Sequence, residues 1–331
     1  MTLESPAARF DAPAESGPAG GTALLLLGAI MLGSVVGLTA PATGAALSGG
    51  TDLTLIVMIS LLFFELRLRS VVHAFARLRF MALAWGANFL IVPVIGFVLT
   101  SLILPAEPVF FAGLMLYFLA PCTDWFLGFT RMARGDTETG AALIPVNMMT
   151  QLLLFPLWLW LFTTHTGFID FAAIPGALAE WFLLPLLGVQ ALRLCMERLL
   201  PQQLFGRILE VVGQLVPLAL GVLILQLFAG HVGLIGAHLP VFAMIAVAVF
   251  LFFATTLVVG EKLAQLGGLA YRQRALLAMT MAARNAPMML VMTAVAIPDQ
   301  PLIQAAIVFG MLIEIPHLTV LKQVLLRRAA H

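Results

Sequence analysis

Two opposite charges lie where a hydrophobic chain should carry none. Arg284 sits in Ala282-Ala283-Arg284-Asn285-Ala286-Pro287, and Asp124 in Ala120-Pro121-Cys122-Thr123-Asp124. Arg284 follows Arg274 by ten residues and Asp124 precedes Arg134 by ten. If the intervening chain is helical, ten residues rise ~15 Å, half of a ~30 Å hydrocarbon core. A lone charge at that depth costs at least about 2.5–3.5 kcal/mol on insertion scales. Asp124 and Arg284 are therefore expected to face the protein interior, either as a structural ion pair or as parts of a solute site.

Other polar side chains reach the same level. By the same helical rise, Asn88 lies ~14 Å past Arg79, Asn147 ~16 Å past Asp136 and Glu314 ~12 Å before Lys322. Pro121 and Pro287 stand beside the two charges. Proline removes a backbone donor and clashes with the preceding turn. Backbone groups freed inside a membrane must be buried in protein or line a cavity. Two such breaks at corresponding places point to a transport site. Thr123 and Asn285 add hydrogen-bonding groups, and Cys122 adds a soft thiol. The chemistry this set could do is recognition of a small polar or ionic solute. Each member also has a plainer role. Asn88 and Asn147 could join helices by hydrogen bonds, Glu314 could pair with His317 at i,i+3, and Cys122 could be a small buried residue. There is no H-E-x-x-H or G-x-S-x-G sequence and no Ser/His or paired-Asp arrangement, so enzymatic chemistry is not expected. The two cysteines, Cys122 and Cys195, give neither a disulfide framework nor a metal-site spacing, so no metal or cofactor is expected.

The elements that must hold these residues follow from composition. Of the 331 residues 62% are hydrophobic and 10% charged, against roughly 25% charged in a soluble domain. Such a chain cannot cover a water-facing surface, which excludes a soluble enzyme, a nucleic-acid binder and a disordered protein; it is an all-α polytopic membrane protein. Apolar stretches near 22–40, 52–66, 79–104, 108–130, 138–163, 172–192, 208–230, 239–260, 275–297 and 301–321 give ten transmembrane helices. Sixteen of the 17 basic residues then fall in alternate connections or the terminal segments. The positive-inside rule makes that side cytoplasmic, with both termini there. Arg284 is the seventeenth. Residues 1–21 read as a disordered cytoplasmic tail. Ten spans divide into five-helix repeats over 22–164 and 172–328, one membrane domain in all. An odd number per half forces opposite orientations, a 5+5 inverted repeat in which spans four and nine correspond.

At Ala120-Pro121-Cys122-Thr123 followed by Arg134-Gly135-Asp136, the sequence resembles the arsenite efflux permeases of the bile acid/sodium symporter superfamily. Asn147 in Pro145-Val146-Asn147 is similar to that family's fifth-span asparagine. Asn88 with Pro93 resembles its third-span Asn-x-x-x-x-Pro, and Ile313-Glu314-Ile315-Pro316 its tenth-span acidic signature. The resemblance covers most of residues 22–328. It implies crossing broken helices four and nine, and a role for Cys122 with thiophilic As(III). The chain departs from the family at Thr280–Met288, where members carry an acid and this sequence has Arg284 instead. The sodium-coupled branch has a glutamate near the position of Thr280 and a glutamine near Arg284, so a guanidinium there argues against a sodium site. Arg284 then serves as a built-in cation or attracts an anionic substrate.

The expected function is secondary transport in the plasma (inner) membrane, exporting arsenite or a related metalloid oxyanion. The proton is the expected coupling ion, sodium being disfavoured. Asp124 would respond to protons under the influence of Arg284. Cys122 would contact the metalloid, with Thr123 and Asn285 beside it, and Asn88, Asn147 and Glu314 would shape the cavity. The alternative is an ion-coupled symporter of organic anions with Arg284 as the anion contact. The partners are a small solute and the lipid bilayer, with no nucleic acid.

Overall fold

In the computed structural model of the chain, residues 19–66, 77–123, 125–163, 176 and 179–329 are described. The tail expected over 1–21 falls almost wholly outside these residues, as do Asp124 and the connection 164–171. The described residues are helical nearly throughout, with no sheet strand among them. In order they form α1 (Ala19–Thr39), α2 (Pro41–Ser48), α3 (Thr51–Glu65) and α4 (Leu78–Gly86). A π-turn at Ala87–Ile91 joins α4 to α5 (Val92–Ile103), followed by α6 (Pro108–Leu119), α7 (Phe126–Met132) and α8 (Thr137–Thr163). A second π-turn at Ala179–Leu183 leads into α9 (Leu184–Leu199), then α10 (Gln202–Gly236) and α11 (Leu239–Leu266). The last are α12 (Tyr271–Ala282), α13 (Ala286–Ala296) and α14 (Pro301–Ala329). Proline opens many of them. Pro41, Pro93, Pro108, Pro240 and Pro287 all sit in first turns, where a missing N–H costs nothing and the fixed φ suits the helix.

Among the described residues seven helical runs are long and apolar enough to cross a membrane. The pair α2–α3, bent by 44°, would make an eighth. α6 and α13 have 12 and 11 residues, and 12 residues rise only ~18 Å. The stretches expected as spans four and nine are therefore not continuous rods. Each has two short helices, and the first of each pair ends in an extended residue, Ala120 or Ala283.

Large apolar side chains cover much of the outer surface, and a small set of polar groups lies in the apolar interior. Leu24, Leu102, Leu153 and Leu199 are 72–76% exposed, whereas Asn88, Asn147, Arg284 and Glu314 are fully buried. Hydrocarbon tolerates the first set, and only protein can satisfy the second. The helices pack as two groups, α1–α3 with α9 and α10, and α4–α8 with α11–α14. In the first, α1 lies directly on the α10 backbone: a Cβ on Gly33 would stand 2.5 Å from the Leu225 carbonyl oxygen. The second group holds Asn88, Asn147, Arg284 and Glu314. The groups meet where α14 touches α1 and α10, and where α13 touches α3.

Several of the basic connections touch one another or a neighbouring helix end. Arg77 pairs with Asp136 at 2.5 Å, and the Asp136 amide donates to the Arg272 carbonyl at 2.9 Å. The Tyr271 hydroxyl donates to the carbonyls of Ala133 and Leu325 at 2.8 and 3.1 Å. Glu261 binds both Arg274 and Arg328. Arg193 reaches from α9 to the Leu66 carbonyl at 2.8 Å.

Candidate functional site

The two breaks meet. α6 stops at Leu119, and Ala120 is extended at φ −102°, ψ 106°, as the residue before a proline prefers. α12 stops at Ala282, with Ala283 extended at φ −75°, ψ 134°. Pro121 and Arg284 form an antiparallel bridge. The Cys122 amide donates to the Ala283 carbonyl at 3.0 Å, and the Asn285 amide to the Ala120 carbonyl at 2.8 Å. Each broken segment thus satisfies backbone groups of the other in the middle of the protein, a problem that hydrocarbon cannot solve. Asn285 caps α13 by accepting from the Met288 amide at 3.2 Å and donates to the Thr123 hydroxyl at 2.9 Å. Pro287 is not itself the break. It sits in the first turn of α13, and the extended backbone precedes it.

The terminal nitrogens of Arg284 donate chiefly to main-chain oxygens. Nη1 donates to the Phe118 carbonyl at 2.9 Å, and Nη2 to the Thr280 and Met281 carbonyls at 2.7 and 3.0 Å. Nη2 also lies 3.4 Å from Asn88 Oδ1. Phe118 is in the last turn of α6, and Thr280 and Met281 are in the last turn of α12. The last four carbonyls of a helix lack intrahelical donors and carry its negative dipole end. The guanidinium therefore caps two helix C-termini at once, with the Phe252 ring centroid 5.8 Å from its carbon. This explains how a fully buried cation is held although no ion pair among the described residues includes it. The pairing expected with Asp124 involves a residue outside the described set.

Glu314 ties the crossing together. Its carboxylate accepts from the Tyr117 hydroxyl at 2.9 Å, Trp125 Nε1 at 2.8 Å and the Arg284 amide at 3.0 Å. Tyr117 precedes the first break, Trp125 follows it, and Arg284 lies in the second. One carboxylate on α14 thus holds three strands of the crossing. The pairing considered between Glu314 and His317 does not occur: the His317 ring stacks on Phe253 at 4.1 Å. Asn88 and Asn147 meet at Thr280, whose hydroxyl oxygen accepts from their side-chain amides at 3.0 and 3.5 Å. Asn88 sits in the π-turn, which swings it inward.

The structure thus brings Asn88, Asn147, Pro121, Cys122, Thr123, Arg284, Asn285 and Glu314 into one region. Tyr117, Trp125 and Thr280 also belong there, and none of them was among the residues expected from the sequence. Tyrosine was the available signal. The chain has only two, and each uses its hydroxyl to join segments far apart in sequence.

Two known proteins or families are similar to the chain. The family model described as the Sodium Bile acid symporter family matches residues 52–268. The arsenical-resistance protein Acr3 of Corynebacterium glutamicum is 28% identical over 131 residues, covering 36% of this chain and 34% of that protein. The chain therefore matches about a third of the length of that curated relative.

Proposed function

The chain belongs to the Sodium Bile acid symporter family, and from that premise we propose that it is a secondary transporter exporting arsenite or a related metalloid oxyanion across the plasma membrane. The observation that carries the proposal is the crossing of two broken helices around buried Arg284 and Glu314. Two half-helices ending at mid-depth in corresponding halves suit a carrier that exposes one site alternately to each side. The arsenical-resistance relative and the soft Cys122 thiol at the crossing support a thiophilic cargo.

In this reading α6–α7 and α12–α13 are spans four and nine. With the seven long helices and the bent α2–α3 pair they make ten spans in a 5+5 inverted repeat over 22–164 and 172–328. The side carrying Arg77, Arg274 and Arg328 is cytoplasmic, and both termini lie there. Cys122 contacts the metalloid, and Thr123 and Asn285 flank it. Asn88, Asn147 and Glu314 shape the cavity, and Asp124 is the proton-responsive group. Arg284 is a permanent cation in a cradle of carbonyls, which makes sodium unnecessary.

The organic-anion alternative requires Arg284 to offer its fork to a carboxylate. Its two terminal nitrogens already donate to Phe118, Thr280, Met281 and Asn88, which favours the metalloid reading. The test is accumulation of arsenite in cells with the gene deleted and then restored as wild type or Cys122→Ser. Deletion should raise accumulation, wild type should reverse it and Cys122→Ser should not. Equal accumulation with wild type and Cys122→Ser would remove Cys122 from the mechanism, and no effect of deletion would remove arsenite export.

A further inference from the structure

Leu143, Asn147, Gln151, Phe155 and Leu159 recur every four residues along α8, and all five are fully buried. This is the inward stripe of the helix. Its outer members pack in the apolar core, yet its middle is an asparagine and a glutamine. Neither is fully used by the protein. Gln151 Nε2 and Oε1 have no hydrogen-bond partner among the described residues, nor has Asn147 Oδ1. Arg284 Nε is likewise unpaired, and Asn147 and Arg284 converge on Thr280 through its hydroxyl and carbonyl oxygens. A buried amide without partners costs folding free energy, which a leucine of similar size would not. Groups kept at that cost mark functional positions.

We propose that Gln151 and Asn147 form a hydrogen-bonding site for a small uncharged molecule bearing several hydroxyl groups, one helical turn beyond the crossing toward the end with few bases. The unpaired atoms define the ligand. Asn147 Oδ1 and Gln151 Oε1 can only accept, so the ligand must present O–H donors, which a fully deprotonated oxyanion lacks. Gln151 Nε2 and Arg284 Nε can only donate, so the ligand must also accept. A hydroxyl does both. The Arg284 charge adds little call for an anion, because helix-end carbonyls and Glu314 already face it. The site rests on the carrier reading for the identity of its cargo and not for its existence.

The test uses the purified full chain, by thermal shift in detergent and by flux in proteoliposomes. Boric acid and arsenous acid serve as uncharged hydroxylated probes, with acetate as the anionic control. Both hydroxylated probes should raise the melting temperature of the wild type, and acetate should not. In Gln151→Leu the half-saturating probe concentration should rise about fivefold to thirtyfold, the loss of one to two hydrogen bonds. The probe-free variant should melt at or above the wild type, since an unpaired amide has been removed. Gln151→Met should behave in the same way and guards against a packing fault at leucine. The site is refuted if neither probe stabilises the wild type, or if both variants keep its response. It is also refuted if both variants melt lower with probe affinity unchanged, the mark of an interhelical strut. Absent arsenite flux with a boric acid response lost in Gln151→Leu would refute arsenite export and uphold the site. Arsenite flux indifferent to both variants would do the reverse.

Discussion

Replacing Arg284 by alanine tests whether a mid-depth cation is held by helix ends. The substitution strips hydrogen bonds from the carbonyls of Phe118, Thr280 and Met281, all of them on buried residues. At ~1 kcal/mol for each orphaned acceptor, the lower end of the usual range, the loss is ~3 kcal/mol. At roughly 2 °C per kcal/mol for a chain of this size, the melting temperature of the purified protein should fall by ~6 °C. The truncation also leaves a space shaped for the missing group. If guanidinium binds there with a dissociation constant of about 1 mM, then about 10 mM should return ~1.4 kcal/mol, or ~3 °C. Methylammonium at the same concentration should return far less, because a point charge cannot bridge the ends of α6 and α12. Arg284→Lys should fall between alanine and the wild type for the same reason. Differential scanning fluorimetry in detergent reads all of this. The account fails if Arg284→Ala melts at or above the wild type, since removing an uncompensated buried charge would then outweigh three orphaned carbonyls. It fails equally if methylammonium rescues as well as guanidinium.

Three further outcomes follow from the same geometry. Glu314→Gln keeps the shape of the side chain but turns one accepting oxygen into a donor facing Tyr117 or Trp125; transport should fall at least tenfold, with a stability loss of about 1–3 kcal/mol, measured by flux and denaturant titration. Gly310→Ala would put a Cβ 2.9 Å from the Tyr117 ring, displacing the hydroxyl from Glu314; the overpacking should cost about 1–3 kcal/mol, and Gly310→Ala with Tyr117→Phe should cost less than the sum of the two changes. Replacing sodium with choline on both sides of proteoliposomes should leave wild-type flux unchanged if Arg284 supplies the cation, and a strict sodium requirement would overturn that role.

Much of this molecule could be read one residue at a time. Hydrocarbon imposes nearly one-dimensional rules: apolar runs of fixed length span it, and basic residues collect on one side. That sufficed to single out Arg284 as the one base outside the connections and to group Asn88, Asn147 and Glu314 with it, and all four are buried. The prolines signalled the breaks, although Pro287 begins a helix and the non-helical backbone lies at Ala283–Asn285. The partners were not legible. Arg284 is held chiefly by main-chain carbonyls, which every residue carries and which become acceptors only where a helix ends. Which helix ends face it depends on how α6 and α12 cross. Glu314 likewise had a plausible neighbour in His317 on its own helix, but its donors come from residues up to 197 positions away, and no local spacing encodes them. Gln151 looked like any glutamine in an apolar run, and its unpaired state emerges only when every surrounding side chain is in place. The sequence by itself determined a membrane protein, a set of polar residues held away from its ends and the neighbourhood of its breaks, because those follow from composition and distance along the chain. Only the tertiary structure decided which groups satisfy one another, because in a low-dielectric interior that choice is made by contacts between helices remote in sequence.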